Sequence, residues 1–383
     1  MKSKICLSAA TVLISIIPVL SCNSSDNNTA ETTAVTAKIE HLELIPEGSI
    51  GVELGDTNYV FGQIVEADQD KDGNILVLDA STMNVRKYSH EGNFLGSAGR
   101  QGTGPGEFQM PRGMTVLGNN NFVVSDMAGG AICVFDDSLN WKENIVGFFP
   151  RPPFTVRTAG DSAFVGMLPA FNREEGLMGF SIARMENSSE PVTVYDEQMM
   201  PFDPSRIGPL GDEEDPIFTC DNSGHVFIGA PGSDVIEITG YLPDGEIFLS
   251  IKENTDRVEK SEEELTREKA EFDDFAARMR SRGGRMSGVE LAFDPIVYRR
   301  AVTSLGVDNQ NRLWVRLGKY RYPFWNVYDF EGKLLFTASL ETDDQDLDDM
   351  VVLITENGAT AWIPDPLAWP KVIILDLPET SEL

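Results

Sequence analysis

The chain has 383 residues, of which 41% are hydrophobic and 34 are glycines. A chain of this length and composition can bury a large core, and an all-β domain of this size can be a single unit. Acidic residues outnumber basic ones by 61 to 31, which gives a formal net charge of −30. This charge repels nucleic acid, and since no basic stripe offsets it we exclude nucleic acid as a partner. A solvated surface that keeps an exported protein soluble is the simplest reading of the acidic excess.

The first residues are typical of a secretory signal. Lys2 and Lys4 precede an apolar stretch that runs from Ala9 to Leu20. A basic start, a short apolar core and a small residue before the cleavage point define such a signal. The stretch is too short to span a membrane as a helix.

The apolar stretch ends at Val19-Leu-Ser-Cys22, which resembles the lipobox of bacterial lipoproteins. In that family the cysteine is acylated and becomes the first residue of the mature chain. The resemblance implies a signal peptide over residues 1–21, a lipid on Cys22, and a protein anchored to the cell envelope at the outer membrane. Residues 22–38 are polar and predict a tether without a core. The alternative is an ordinary signal whose cleavage point lies beside a cysteine.

The remaining chain, residues 39–383, repeats one pattern. A tight turn rich in Asp, Asn and Gly joins two short alternating strands, and a third strand follows. The six turns centre on Gly73, Asn120, Ser162, Ser223, Gln310 and Asn357. Three of the five intervals between them match the roughly 40–50 residues of one four-stranded blade, and the two longer ones must hold insertions. Such units cannot bury their own apolar faces, so the pattern predicts an all-β, six-bladed β-propeller.

The sixth unit stops at Val372–Asp376, one strand short of a blade. We expect a segment before the first unit to supply that strand, either Ile39–Ile45 or Ile50–Leu54. Closure of this kind would remove the exposed sheet edges.

The first turn has the side chains of a calcium loop. Asp68, Asp70, Asp72 and Asp79 stand at positions one, three, five and twelve, with Gly73 at position six. These four aspartates are therefore a candidate calcium site. An ordinary hairpin also favours Asp and Gly here, and the other five turns lack the three closely spaced carboxylates, so a folding role is the alternative.

A glycine-rich connector runs from Gly92 to Pro111 and contains Gly106-Glu-Phe-Gln-Met-Pro111. With the strand pairs on either side it resembles an NHL repeat, in which such a connector crosses from one blade to the inner strand of the next. The whole pattern is similar to six-bladed propeller lipoproteins of Bacteroidetes-like bacteria, whose function is mostly unassigned. The resemblance implies that Phe108 packs between two blades and that Pro111 fixes the start of the next strand.

Polar side chains recur where each inner strand begins. These positions carry Arg112, Arg151, Asp215 and Arg300. Because inner strands line the central channel of a propeller, we expect these groups at its mouth. Arginines in an acidic chain would suit a carboxylate or a sugar acid as ligand. The alternative is that they pair with acidic neighbours and fill the channel.

The longest interval, between the fourth and fifth units, predicts a helical insertion over about residues 256–300. Ser261-Glu-Glu-Glu264 is a capping box that starts a helix, and Gly283-Gly284 would end it. One apolar face is formed by Leu265, Phe272, Phe275, Ala276 and Met279. This face predicts docking on the propeller, and a lid or partner-binding arm over the channel is the alternative.

Two cysteines remain within the repeats, Cys133 in the second unit and Cys220 in the fourth. Units two apart are not neighbours in a ring, so we expect buried free thiols rather than a disulfide.

These patterns indicate a lipid-anchored, monomeric module that binds a protein or a small anionic or sugar ligand and is not an enzyme. The rival hypothesis is a metal-dependent hydrolase of the lactonase or esterase kind, with its site at the central channel. Propellers similar to gluconolactonase use Glu, Asn and Asp around a divalent metal. No such set can be assigned in this sequence, and calcium is the only cofactor suggested.

Overall fold

Residues 39–201, 203, 215–282, 291–340, 347–364 and 368–379 are described by the structure, a computed structural model. They form six sheets around one axis, so the predicted six-bladed propeller is confirmed. Two strands precede the repeats, β1 (Glu40–Leu44) and β2 (Pro46–Ile50). Among the described residues no helix is both long enough and apolar enough to cross a membrane.

The blades follow in chain order. The first holds β3 (Ile64–Gln69), β4 (Ile75–Asp79), β5 (Asn84–Tyr88) and β6 (Phe94–Ala98). The second holds β7 (Pro111–Val116), β8 (Phe122–Asp126), β9 (Ala131–Phe135) and β10 (Trp141–Val146). The third holds β11 (Val156–Thr158), β12 (Phe164–Asn172), β13 (Leu177–Met185) and β14 (Thr193–Pro201). The fourth holds β15 (Ile217–Cys220), β16 (Val226–Gly229), β17 (Val235–Tyr241) and β18 (Ile247–Asn254).

The fifth blade is built from β19 (Val302–Val307), β20 (Leu313–Leu317), β21 (Phe324–Tyr328) and β22 (Leu334–Leu340). The sixth is built from β23 (Val351–Thr355), β24 (Gly358–Trp362) and β25 (Val372–Leu375). The innermost strands β3, β7, β11, β15, β19 and β23 each contact the next one, and β23 contacts β3. They enclose the central channel. We call the end where these strands begin the front face, and the end with the six predicted turns the back face.

The N-terminal segment closes the ring, though with a different residue range from the one predicted. β2 pairs antiparallel with β25 and becomes the fourth strand of the sixth blade. Neither Ile39–Ile45 nor Ile50–Leu54 does this. Most of the former segment forms β1, which pairs in parallel with β22 and gives the fifth blade a fifth strand.

All six turns join the first two strands of a blade, as predicted, and in three of them an aspartate bonds to the backbone of its own turn. Asp70 Oδ1 accepts hydrogen bonds from the backbone amides of Asp72 (3.0 Å) and Asn74 (2.8 Å). In the same way, Asp221 accepts a hydrogen bond from the backbone amide of His225 at 2.8 Å. Asp308 accepts one from the backbone amide of Arg312 at 3.1 Å. A side chain that satisfies the amides four residues ahead stabilises a tight hairpin, which explains the residue choice.

The core consists of apolar layers between neighbouring blades. Phe108 is fully buried between the first and second blades and meets the Phe135 ring edge-on, with 5.8 Å between centroids. Gly99 has φ +82°, and a Cβ there would lie 2.2 Å from the Phe108 ring, so only glycine fits. The expected role of Phe108 is therefore confirmed. Cys133 and Cys220 are buried free thiols, also as predicted.

The helix α1 (Glu262–Arg282) lies between β18 and β19, as predicted for the insertion. Its capping box is formed: the Ser261 amide donates to Glu264 Oε2 at 2.8 Å, and the Glu264 amide donates to Ser261 Oγ at 3.2 Å. Phe272 and Ala276 are buried, and Phe272 packs against Phe293. The expected stop at Gly283-Gly284 lies outside the described residues.

The helix is attached to the start of the sixth blade. Arg267 Nη1 lies 2.8 Å from Asp349 Oδ2, in the 3-10 turn Leu347–Asp349 that precedes β23. Arg299 forms two ion pairs through its Nη2 atom, one with Glu264 Oε1 of the helix at 2.7 Å and one with Asp348 Oδ2 at 3.5 Å. These ion pairs and the partly buried apolar face support the docked arrangement.

Candidate functional site

The four residues predicted at the channel mouth all lie at the front face. Arg112 is the second residue of β7, and Arg151, Asp215 and Arg300 stand in the connectors before β11, β15 and β19. They therefore come from the second to the fifth blades. Arg112 and Arg151 are exposed, whereas Asp215 and Arg300 are half-buried.

The two exposed arginines are presented by local structure. Arg112 lies at a register shift between Pro111 and Gly113, where the ladder with β8 skips one residue, and it is exposed. The Arg151 guanidinium lies over the Phe154 ring, with 4.2 Å between Cζ and the ring centroid. This contact orients the guanidinium and leaves it exposed to solvent.

Inside the channel the structure brings together three charged side chains that the sequence analysis did not join. Glu66 and Asp68 lie on β3, and Arg157 lies on β11. Arg157 Nη1 reaches Glu66 Oε2 at 3.5 Å, which links the first blade to the third across the second. The alternation of Glu66 and Asp68 along β3 is the one sequence signal that could have placed both on the channel side.

Burial determines the protonation of these carboxyls. Glu66 is 7% exposed, and desolvation raises its pKa from 4.5 to about 7, against the lowering effect of Arg157. Asp68 is 2% exposed, and burial raises its pKa too, although the amides of Val116 and Gln69 stabilise its charged form. One arginine thus faces two buried acids, so the channel holds a group that titrates near neutral pH.

At the back face, turns of different blades are bonded to one another. The Lys71 amide donates to Asn120 Oδ1 (3.0 Å), and Asn357 Nδ2 donates to the Gln69 carbonyl (2.8 Å). The Asn222 amide of the fourth blade donates to Glu356 Oε2 of the sixth blade. Since these two blades are not neighbours, their turns must reach towards the axis. Burial raises the pKa of Glu356 there.

The four aspartates of the suggested calcium loop bond to different groups. Asp68 faces β7 and accepts from the Val116 amide, Asp70 pairs with Lys87 at 2.8 Å, and Asp72 accepts from Asn120. Asp79 accepts from the amides of Gly62, Gln63 and Ser81. Within the described ranges no three His, Cys, Asp or Glu residues are grouped as metal ligands. Calcium binding by these aspartates stays a prediction, and the geometry gives it no support.

Asp79 has a structural counterpart in the next blade. Asp126 ends β8 as Asp79 ends β4, and its two oxygens accept from the amides of Gln109 (2.9 Å) and Met110 (2.6 Å). In both blades the carboxylate therefore holds the connector in place by accepting hydrogen bonds from the amides just before the inner strand. This shared role explains Asp79 without a metal.

Comparison with known proteins supports the fold. No family model matches the chain, and no curated protein matches it by sequence. A presumed exported protein from Bacteroides fragilis has a TM-score of 0.50 at 11% identity, over 88% of this chain and 99% of that chain. A member of the DUF4221 family from Bacteroides vulgatus has a TM-score of 0.47 at 10% identity, over 87% and 97% of the two chains.

A catalytically inactive virginiamycin B lyase from Staphylococcus aureus has a TM-score of 0.40 at 11% identity, over 84% of this chain and 82% of that chain. The likeness to the Bacteroides fragilis protein, at 11% identity, is evidence for the fold alone. The site of this chain has to be argued from its own residues. The predicted lipid attachment residue, Cys22, lies outside the described part of the chain.

Proposed function

We propose that this protein is an exported, lipid-anchored propeller with NHL-like repeats that binds a small carboxylate or sugar acid at the front mouth of its channel and is not an enzyme. The observation that carries this proposal is the difference between the front and back ends of the channel. Turns that bond to one another across blades occupy the back end, and exposed guanidinium groups stand at the front end.

The chemistry of the mouth suits an anion. Arg112 and Arg151 come from adjacent blades and are exposed. A guanidinium binds a carboxylate through two parallel hydrogen bonds, which gives orientation as well as affinity. Deeper in the channel Arg157 already pairs with Glu66, so we assign the incoming carboxylate to the exposed arginines at the mouth.

The test is a calorimetric titration with glucuronate, with glucose as the uncharged counterpart. Wild-type protein should bind glucuronate and not glucose, and the double variant Arg112→Ala/Arg151→Ala should lose binding. Lys333→Ala is the matched control, because Lys333 is exposed on the turn between β21 and β22. Thermal unfolding of both variants should stay close to that of wild type. Unchanged glucuronate affinity in the double variant would overturn the proposal.

The rival hydrolase is tested on the same preparation. A metal-dependent lactonase requires a set of ligands at the channel, and the described residues contain no group of three His, Cys, Asp or Glu side chains placed to hold a metal ion. Metal analysis of purified protein, followed by a lactone assay with and without chelator, distinguishes the two functions. Chelator-sensitive lactone hydrolysis would favour the enzyme.

The anchor is proposed from the N-terminal sequence alone. A Cys22→Ser variant should lose incorporation of labelled palmitate and leave the membrane fraction. Outer-membrane location follows if the wild-type chain separates with outer-membrane markers on a density gradient.

A further inference from the structure

The third blade carries a structure that the ring does not require. Its inner strand β11 has three residues, whereas β12, β13 and β14 have nine each. β12 and β13 stay paired as far as Asn172 and Leu177. Their hairpin therefore extends well past the inner strand on the front face.

A groove of about 710 Å³ lies against this hairpin. This is within the range of roughly 300–1,000 Å³ that is usual for binding sites. Its apolar lining comes from Phe149, Pro169, Phe171, Leu177 and Met199. The Phe149 and Phe171 side chains are 67% and 46% exposed, which is unusual for phenylalanine.

The groove is continuous with a strand edge. Glu197 and Met199, which line it, belong to β14, the outermost strand of the blade. No other described strand pairs with the outer side of β14. An outer edge of this kind offers backbone donors and acceptors to an extended chain. The fifth blade shows this pairing within the molecule, since β1 adds to the outer strand β22.

The charges at the groove favour a cation. Glu175 and Glu197 are exposed at its wall, in a chain with a net charge of −30. Arg173 places its guanidinium 5.4 Å from the Phe149 ring centroid, so this aromatic face already accepts a cation. A partner with positive charges would have two carboxylates to pair with.

We propose that this groove and the β14 edge bind an extended basic segment of a partner protein. The segment adds to β14 as a further strand, places alternate apolar side chains in the groove, and pairs its lysines or arginines with Glu175 and Glu197. Neither Arg112 nor Arg151 lines the groove, so this proposal does not depend on the proposed anion site.

The probe is a fluorescent peptide in which lysine and leucine alternate, and the readout is anisotropy at physiological ionic strength. We expect binding to wild-type protein. The double variant Glu175→Lys/Glu197→Lys should weaken it by at least about tenfold, because like charges would then face each other. The matched control is Glu246→Lys/Glu331→Lys, which makes the same change in net charge at exposed positions on other blades.

Four results would overturn the proposal. They are no binding to wild type, equal weakening in the control variant, equal binding of a glutamate–leucine peptide, and equal binding of a lysine peptide whose alternation is interrupted by prolines, which cannot extend a sheet. A concentration-dependent dimer abolished by Glu175→Lys/Glu197→Lys would show that a second copy of the chain is the occupant instead. Glucuronate binding by the same variant reports on the mouth separately, so failure of one proposal is distinguishable from failure of the other.

Discussion

Replacing Glu66 by glutamine should change how the stability of this protein depends on pH. Glu66 is buried in the channel, and burial raises its pKa to about 7, above its ordinary value of 4.5. A carboxyl whose pKa is higher in the folded chain stabilises the fold at pH below its unfolded pKa. That contribution is lost as the pH rises through the folded value. Glutamine has nearly the same shape and does not titrate.

The magnitude follows from the two pKa values. The difference is about 2.5 units, and each unit is worth about 1.36 kcal/mol, so full ionisation of Glu66 costs the fold about 3 kcal/mol. Since part of this is already lost at mildly acidic pH, the loss between about pH 5 and about pH 8 is on the order of 2–3 kcal/mol. Asp68 and Arg157 are the charged groups that act on Glu66, and the variant retains both.

Urea unfolding followed by tryptophan fluorescence, at a series of pH values, measures the effect. Over that interval the free energy of unfolding of wild type should fall by about 2–3 kcal/mol more than that of Glu66→Gln. Glu331→Gln, on an exposed turn, is the control and should follow wild type. Parallel curves for wild type and Glu66→Gln would refute the reasoning, because the channel would then not raise the pKa of this carboxyl.

Three further outcomes are expected. Phe108→Ala should lower the free energy of unfolding by about 3–5 kcal/mol, because it leaves a cavity between two blades; a loss below about 1 kcal/mol in urea unfolding would contradict this packing. Ser261→Ala removes half of a capping box and should cost α1 about 1 kcal/mol, seen as faster proteolysis within the helix while the propeller stays resistant. Cys133 should react with a thiol reagent only after denaturation, because burial raises the pKa of its thiol to about 12; rapid labelling of the native protein would count against this.

Much of the fold could be predicted because its signals are local. The turn aspartates bond to amides two and four residues ahead, as Asp70 does with Asp72 and Asn74. The capping box of α1 is closed by residues three apart. Such contacts depend on a few neighbouring residues, so the residue types alone indicate the six hairpins and the helix start.

Less of the candidate site could be predicted from the sequence. The front positions of Arg112 and Arg151 follow from the repeat, because the start of every inner strand lies at one end of the ring. What those side chains contact does not follow. The protruding hairpin of the third blade was also missed, since the length of β12 and β13 depends on their mutual pairing rather than on a turn signal.

The sequence by itself therefore determined the number of blades, the turns that join their strands, the connector around Phe108 and the inserted helix. The tertiary structure decided which N-terminal strand joins which blade. β1 pairs with β22, nearly three hundred residues later in the chain, and β2 pairs with β25, more than three hundred residues later. It also decided which charges meet in the channel. Glu66 and Arg157 are 91 residues apart, and only closure of the ring brings a glutamate of the first blade to an arginine of the third.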